Sequence, residues 1–281
     1  MHEKIELPSG TTLDFSGPAL VMAVINCTED SFYSGSRNPT TKAALDRAFL
    51  AEENGAAIID LGAESTRPGA AYIDADEEKR RLIPVIEGFR ARSRLPVSVD
   101  TRKLEVACCA LDAGADIIND ISALEDSPGI ATLCAERKAG LILMHKKGIP
   151  STMQDKPFYD DVVAEVSNYL LAAAQQAEKA GVPREKIILD PGIGFGKRTE
   201  DNLDLIARFD AITALGYFTL MALSRKRFIG EITGRTTEDR LAGTITANAF
   251  ALLKGAHMIR VHDTAEAVDL VKLFFALSRR C

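Results

Sequence analysis

Three stretches of the chain share one layout. Gly55-Ala-Ala-Ile-Ile-Asp60, Gly114-Ala-Asp-Ile-Ile-Asn119 and Gly255-Ala-His-Met-Ile-Arg260 each open on a glycine, cross a short apolar run and end in a polar residue. A glycine so placed closes a preceding helix in the left-handed conformation. The runs are continuous rather than alternating, which suits strands buried on both faces of a parallel sheet. The same pattern predicts eight strands, over 20–25, 57–61, 96–99, 116–118, 141–144, 187–189, 218–223 and 258–261.

Helical periodicity fills several of the gaps. Residues 41–54 place Ala44, Leu45, Ala48 and Phe49 on one face, and 160–180 place Val163, Val166, Leu170 and Ala174 on one stripe. Residues 101–113, with Thr101 as the expected N-cap, 238–254 and 265–279 complete the predicted helices. Strand and helix alternate as in parallel βαβ units, and eight such units predict closure into a (β/α)8 TIM barrel. An open doubly wound sheet is the alternative. Residues 3–16 precede the first strand, and Gly10-Thr-Thr there reads as a small hairpin or cap over the barrel bottom. No linker or composition break divides residues 1–281, so one domain is expected.

Composition narrows the function classes. Hydrophobic residues make up 46% and charged residues 26%, an ordinary balance for a globular enzyme. No apolar run reaches the roughly 18 residues of a membrane span. The start of the chain carries Glu3 and Glu6 and lacks the layout of a secretory signal. Cys27, Cys108, Cys109, Cys134 and Cys281 form no Cys-x-x-Cys pair, so reduced thiols in the cytoplasm are expected. The net charge of −6 argues against a nucleic-acid partner, and an anionic ligand would need a local basic cluster.

In a barrel of this kind the chemistry sits where the strands end. Asp100, Asn119 and Asp190 follow strands three, four and six and, with Lys226, offer the donors and acceptors that would read the edge of a flat nitrogen heterocycle. An Asp190–Lys226 ion pair bracing the barrel is the structural alternative. Asp120 and Asp263 read equally well as helix N-caps. Thr66, Arg67, Arg260 and His262, from the loops after strands two and eight, form an anion-compatible set, since arginine binds phosphate oxygens in pairs. Asn26 offers an oxygen to Mg2+, or is a turn residue. Gly192-x-Gly194-x-Gly196 is neither a dinucleotide fingerprint nor a P-loop. It reads as a loop that lets backbone approach a ligand, with Phe195 exposed.

Taken in order, eight segments resemble the dihydropteroate synthases. They are Ile25-Asn-Cys-Thr-Glu-Asp-Ser-Phe32, Ala63-Glu-Ser-Thr-Arg-Pro-Gly-Ala70, Ser98-Val-Asp-Thr101, Ile118-Asn-Asp-Ile121, Leu143-Met-His145, Asp190-Pro-Gly-Ile-Gly-Phe-Gly-Lys197, Leu223-Ser-Arg-Lys226 and Ile259-Arg-Val-His-Asp263. The resemblance implies a transferase of folate biosynthesis, the target of sulfonamides. Such an enzyme joins p-aminobenzoate to 6-hydroxymethyl-7,8-dihydropterin diphosphate and expels pyrophosphate. It implies that Asp100, Asn119, Asp190, Lys226 and Arg260 hold the pterin, with Asp100, Asp190, Lys226 and Arg260 catalytic. It further implies that Asn26, Thr66, Arg67, Arg260 and His262 hold the diphosphate, with Mg2+ on Asn26. Phe32, Pro68, Phe195, Lys226 and Arg227 would form the aminobenzoate slot. A homodimer is implied as well.

Three positions depart from the family pattern: Cys27 where an aliphatic residue is usual, Glu29 for proline and Arg227 for serine. Arg227 is expected either to fork onto the aminobenzoate carboxylate or to swing out to solvent. Two other readings remain at this stage. One is a methyltetrahydrofolate-binding methyltransferase barrel, which would not need the basic set. The other is an inactive pterin-binding protein.

Overall fold

The structure, a computed structural model, describes residues 3–27, 39–64, 73–148 and 157–280. An antiparallel hairpin comes first, β1 (Lys4–Glu6) with β2 (Thr12–Asp14). Eight parallel strands follow: β3 (Leu20–Asn26), β4 (Ile58–Gly62), β5 (Val97–Asp100), β6 (Ile117–Asp120), β7 (Gly140–Met144), β8 (Ile187–Asp190), β9 (Phe218–Met221) and β10 (Met258–Val261). They close in the order β10-β3-β4-β5-β6-β7-β8-β9, so the predicted barrel is observed and the open sheet is not. Gly55, Gly114 and Gly255 have φ of +88, +107 and +88°, which is the helix-closing conformation expected from the repeated layout.

The strands bury both faces, and their inward residues still alternate. Met22, Ile58, Ile117, Ile142, Ile188, Phe218, Leu220 and Met258 form one cluster inside the lower barrel. The hairpin closes this end as expected, adding Ile5, Leu7 and Leu13 to the same cluster. Phe15 stacks on Phe218 with ring centroids 3.9 Å apart. The amide of Ser9 donates to the buried Asp116 carboxylate at 3.0 Å, and Arg90 pairs with the same group.

The outward residues pack on helices α1 (Pro39–Glu53), α2 (Ala75–Arg90), α3 (Leu104–Asp112), α4 (Gly129–Arg137), α5 (Val162–Lys179), α6 (Thr199–Ala207), α7 (Asp210–Thr213), α8 (Arg227–Thr233), α9 (Leu241–Leu253) and α10 (Thr264–Ser278). Five of these, α2, α4, α6, α7 and α8, were not among the predicted helices. α2 contains Pro84 and α4 opens on Pro128-Gly129, residues that read as breakers in a linear pattern. α7 and α8 are too short to show a period. α3 starts later than expected. Lys103 holds its N-cap position, and Thr101 accepts the Lys103 amide at 3.2 Å instead of capping the helix. Among the described residues no helix is long and apolar enough to cross a membrane, and Cys27, Cys108, Cys109 and Cys134 are free thiols.

Candidate active site

Two residues above the apolar layer, the inward positions become polar. Ile58 gives way to Asp60, Ile117 to Asn119, Ile188 to Asp190 and Met258 to Arg260. The guanidinium of Arg260 bridges two carboxylates. Its Nη2 is 2.6 Å from Asp60 and 3.1 Å from Asp100, and its Nε donates to Asp60 at 2.7 Å. The Asn119 amide faces Asp60 at 3.4 Å, while its Oδ1 is buried without a hydrogen-bond partner. Asp100, Asn119 and Arg260 thus meet as expected, and Asp60 is the group that Arg260 and Asn119 share.

These charges are largely withdrawn from water, Asp60 and Asp190 buried and Asp100 and Arg260 half-buried. Burial pushes the Asp100 carboxyl up to about 7 against the pull of Arg260, with Asp60 adding to the rise. Burial also raises Asp190, opposed by the Gly192 amide, which donates to it at 2.7 Å, and by Lys226 and Arg260. Lys226 is pushed down to about 8 by burial, with Asp190 opposing. Lys226 and Asp190 form no ion pair among the described residues, so the brace considered for them is not what the structure shows. Instead the Lys226 ammonium lies 4.5 Å from the centroid of the Phe195 ring.

Phe195 is half-buried, not exposed. Two of the glycines around it have a packing purpose. A Cβ on Gly192 or Gly196 would overlap the carbonyl oxygen of His145 or Lys147, and both glycines have positive φ, +65 and +64°. The loop presses on the neighbouring β7 loop, and Gly192 and Gly196 permit that approach, while Gly194 faces the Lys226 side chain.

On the other side, His262 takes a hydrogen-bonding position against Ser224, Nδ1 to Oγ 3.0 Å. Desolvation, then the Arg260 charge, pushes its imidazole down to about 4. Between these residues Arg225 holds a left-handed backbone, φ +55°, without being glycine. Its guanidinium forks onto Asp263 at 2.9 and 2.8 Å and donates to the Thr237 and Glu238 carbonyls. A non-glycine residue in that region persists where its surroundings hold it there. Arg225 ties the loop bearing Lys226 to the loop bearing His262. Asp263 therefore serves that fork and makes no side-chain cap to α10. Asp120 does not cap a helix either, and its carboxylate holds the turn at Ser122 and Leu124.

Asn26 ends β3, exposed, and its side chain makes no hydrogen bond among the described residues. Arg227 is 76% exposed and pairs with Glu231 on its own helix at 2.6 Å. Of the two expected orientations it takes the outward one. Phe32, Thr66, Arg67 and Pro68, like Glu29, lie outside the described residues.

The profile of the pterin binding enzyme family matches residues 22–262, a span that includes the ring of Asp60, Asp100, Asn119, Asp190 and Arg260. The dihydropteroate synthase of Escherichia coli K12 is 42% identical over 264 residues, covering 94% of this chain and 93% of that protein. The chain belongs to the dihydropteroate synthase family of pterin-binding enzymes. The family likeness extends to the whole barrel. The Xanthomonas albilineans dihydropteroate synthase solved with 4-aminobenzoic acid superposes with a TM-score of 0.91 at 42% identity, covering 99% of both chains. The same organism's enzyme in complex with 7,8-dihydropteroate gives 0.88 at 40% identity over 98% of each chain.

Three groups of this dihydropteroate synthase site escaped the sequence reading. Asp60 ends the first of the three repeated segments, in the register that Asn119 and Arg260 occupy in the others. That echo was the available signal. Arg225, Lys197 and His145 stand in the quoted segments without a role, because their partners are backbone carbonyls and residues distant along the chain.

Proposed function

We propose that the polar barrel end joins p-aminobenzoate to 6-hydroxymethyl-7,8-dihydropterin diphosphate, forming 7,8-dihydropteroate and pyrophosphate. The observation that carries this reading is the polar ring of buried Asp60, Asn119 and Asp190 with half-buried Asp100 and Arg260, in a chain about two-fifths identical to dihydropteroate synthases. Asp100, Asn119, Asp190 and Lys226 are assigned to the pterin. The free Oδ1 of Asn119 supplies an acceptor that a heterocycle N–H would satisfy.

The reaction breaks the bond between the pterin methylene and the diphosphate oxygen, which leaves with the electron pair. Positive charge builds at the methylene and spreads into the pterin ring. In their ionised forms Asp100 and Asp190 carry negative charge that water stabilises poorly, so a cationic ring is favoured over the neutral substrate. Arg260 and Arg67 neutralise charge on the leaving group, to which the Thr66 hydroxyl and the neutral His262 imidazole would donate hydrogen bonds. The arylamine nitrogen supplies the new C–N bond and then releases its proton, and being neutral it requires no strong base. Phe195 and the stem of Lys226 form one wall of the arylamine slot, with Phe32 and Pro68. Arg227 reaches that slot only by leaving Glu231.

Mg2+ fits this arrangement as a substrate-bound ion. Among the described residues no cluster of three acidic, His or Cys side chains exists to cage a metal, and Asn26 offers a single unpartnered carboxamide. Mg2+ accepts few protein oxygens when phosphate and water complete its shell, and there it would supply charge neutralisation.

A homodimer is proposed through α9 and α10, where Leu253 is 70% and Leu273 63% exposed. A light-scattering mass of one chain would remove that part. A reducing, cytoplasmic setting agrees with the free thiols. The activity is tested by mixing purified protein, dihydropterin diphosphate and Mg2+ with and without p-aminobenzoate. Pyrophosphate release with aminobenzoate-dependent dihydropteroate is expected. Tight pterin binding without either product would leave a carrier or a sensor.

A further inference from the structure

The mechanism above makes no use of Lys197, whose side chain is nonetheless enclosed at 2% exposure with no ion-pair partner among the described residues. Its ammonium has three N–H donors and three acceptors: His145 Nδ1 at 2.8 Å, the Gly192 carbonyl at 2.9 Å and the Phe195 carbonyl at 3.2 Å. Burial pushes the Lys197 ammonium down to about 7, with Asp190 opposing, so holding the charge there is costly to the fold and its geometry invites a reason beyond stability.

Its partners are specific. The carbonyls it grips belong to the first residue of the glycine loop and to Phe195 itself. The loop's other backbone groups are held too. The Phe195 amide donates to the Gly192 carbonyl at 3.1 Å, the Gly194 amide to Asn202 at 2.8 Å, and the Tyr159 hydroxyl to the Gly196 carbonyl at 2.7 Å. His145, the third acceptor, is fixed in turn. Its amide donates to the Asp190 carbonyl at 3.0 Å and its ring meets Tyr169 edge-on, centroids 4.7 Å apart. Burial and the adjacent Lys197 keep the imidazole neutral, pushing it down to about 2, so Nδ1 is free to accept.

We propose that Lys197 is a positioning residue for the arylamine. By tying the carbonyls of Gly192 and Phe195 to His145, it sets the height and tilt of the Phe195 ring beneath Lys226, and so the shape of the slot. This rests on Phe195 lining the arylamine slot, as assigned above. The pterin contact is separable from it. Asp190 belongs to β8, ahead of the loop, and its carboxylate is held by the Gly192 amide rather than by Lys197. Lys197 reaches the Asp190 carboxylate only through its charge, so its hydrogen bonds act first on the arylamine slot and less on the pterin.

The test uses the full chain as wild type, Lys197→Met, His145→Leu and His145→Gln. It reads the p-aminobenzoate KM by steady-state kinetics and the dihydropterin diphosphate Kd by calorimetry. Lys197→Met is expected to raise the aminobenzoate KM by about tenfold or more while the pterin Kd moves less than about threefold, as follows when only one site loses its preorganised wall. His145→Leu should shift KM the same way. His145→Gln, which keeps an acceptor for the ammonium, should restore most of it. Unchanged kinetics in both Lys197→Met and His145→Leu would overturn the proposal. So would a parallel rise of KM and Kd, the mark of a merely structural role. Thermal melting shows which variants fold, and if Lys197→Met does not, the Leu and Gln variants at 145 decide between the same outcomes. A wild-type protein without aminobenzoate-dependent product would remove the reading on which this rests, and is seen before any variant is made.

Discussion

The two ends of the barrel interior are built from the same strands and differ by a step of two residues. At the lower end Ile58, Ile117, Ile188 and Met258 meet the hairpin's Ile5, Leu7 and Leu13, with Phe15 stacked on Phe218. At the upper end Asp60, Asn119, Asp190 and Arg260 occupy the next inward positions. The lower layer gains about 25 cal/mol for each Å2 of apolar surface it hides. The upper layer does the reverse. It holds carboxyl groups whose charge burial disfavours and an amide oxygen with no partner. The contrast teaches where this chain keeps its stability and where its reactivity. The lower layer stabilises a scaffold rigid enough to hold the upper one in an unfavourable state.

The largest effects should separate the two ends. Asp190→Asn is expected to lower kcat/KM by roughly a thousandfold, the scale of losing one preorganised electrostatic contact, with Tm unchanged or raised. Phe218→Ala should do the opposite, costing about 3–5 kcal/mol in denaturant unfolding while the folded fraction keeps its kcat. A large stability loss in the first variant, or a large kcat loss in the second, would collapse the distinction.

A smaller effect sharpens the upper end. Asp100 is neutral below its raised pKa of about 7 and charged above it, whereas Lys226 loses its charge above about 8. The pH profile of kcat/KM for the pterin substrate should therefore be a narrow bell, its acid limb set by Asp100 and its basic limb by Lys226. Lys226→Arg should move the basic limb out of range even as it lowers the maximum. A flat profile from pH 6 to 9 would contradict the burial assigned to both groups.

The smallest effect is expected at Arg227. Its pairing with Glu231 on the exposed face of α8 predicts that Arg227→Ser changes the aminobenzoate KM by less than about twofold, as for most surface ion pairs. A tenfold rise would show that the guanidinium leaves Glu231 for the substrate carboxylate.

The barrel was legible because its signals are local: a glycine, an apolar run and a polar end, repeated. The site was legible only in part, and the reason is register. The predicted strands over 96–99, 116–118 and 187–189 stop short, which leaves Asp100, Asn119 and Asp190 at loop starts, whereas they are inward-facing strand residues. The same habit of looking beyond strand ends passed over Asp60, which lies within β4. The roles of Arg225 and Lys197 were hidden for another reason. What defines them is a left-handed backbone angle in one case and three acceptors gathered by the fold in the other. Neither leaves a period or a spacing in the sequence. α2 and α4 were hidden by Pro84 and by Pro128-Gly129, punctuation that the packed structure overrides.

The bridge from Arg260 to Asp60 and Asp100 also sets a timetable for synthesis. Its partners are separated by 200 and 160 residues of chain, and β10 pairs with β3, closing the ring in the same stroke. Contacts so remote in sequence form late, after loop-closure entropy has been met by nearer ones. While the ribosome is still making the segments before β10, β3 lacks one neighbour, and the Asp60 and Asp100 carboxylates lack the cation that compensates them. A nascent chain therefore has no partly working site: the barrel and its chemistry are completed by the same strand.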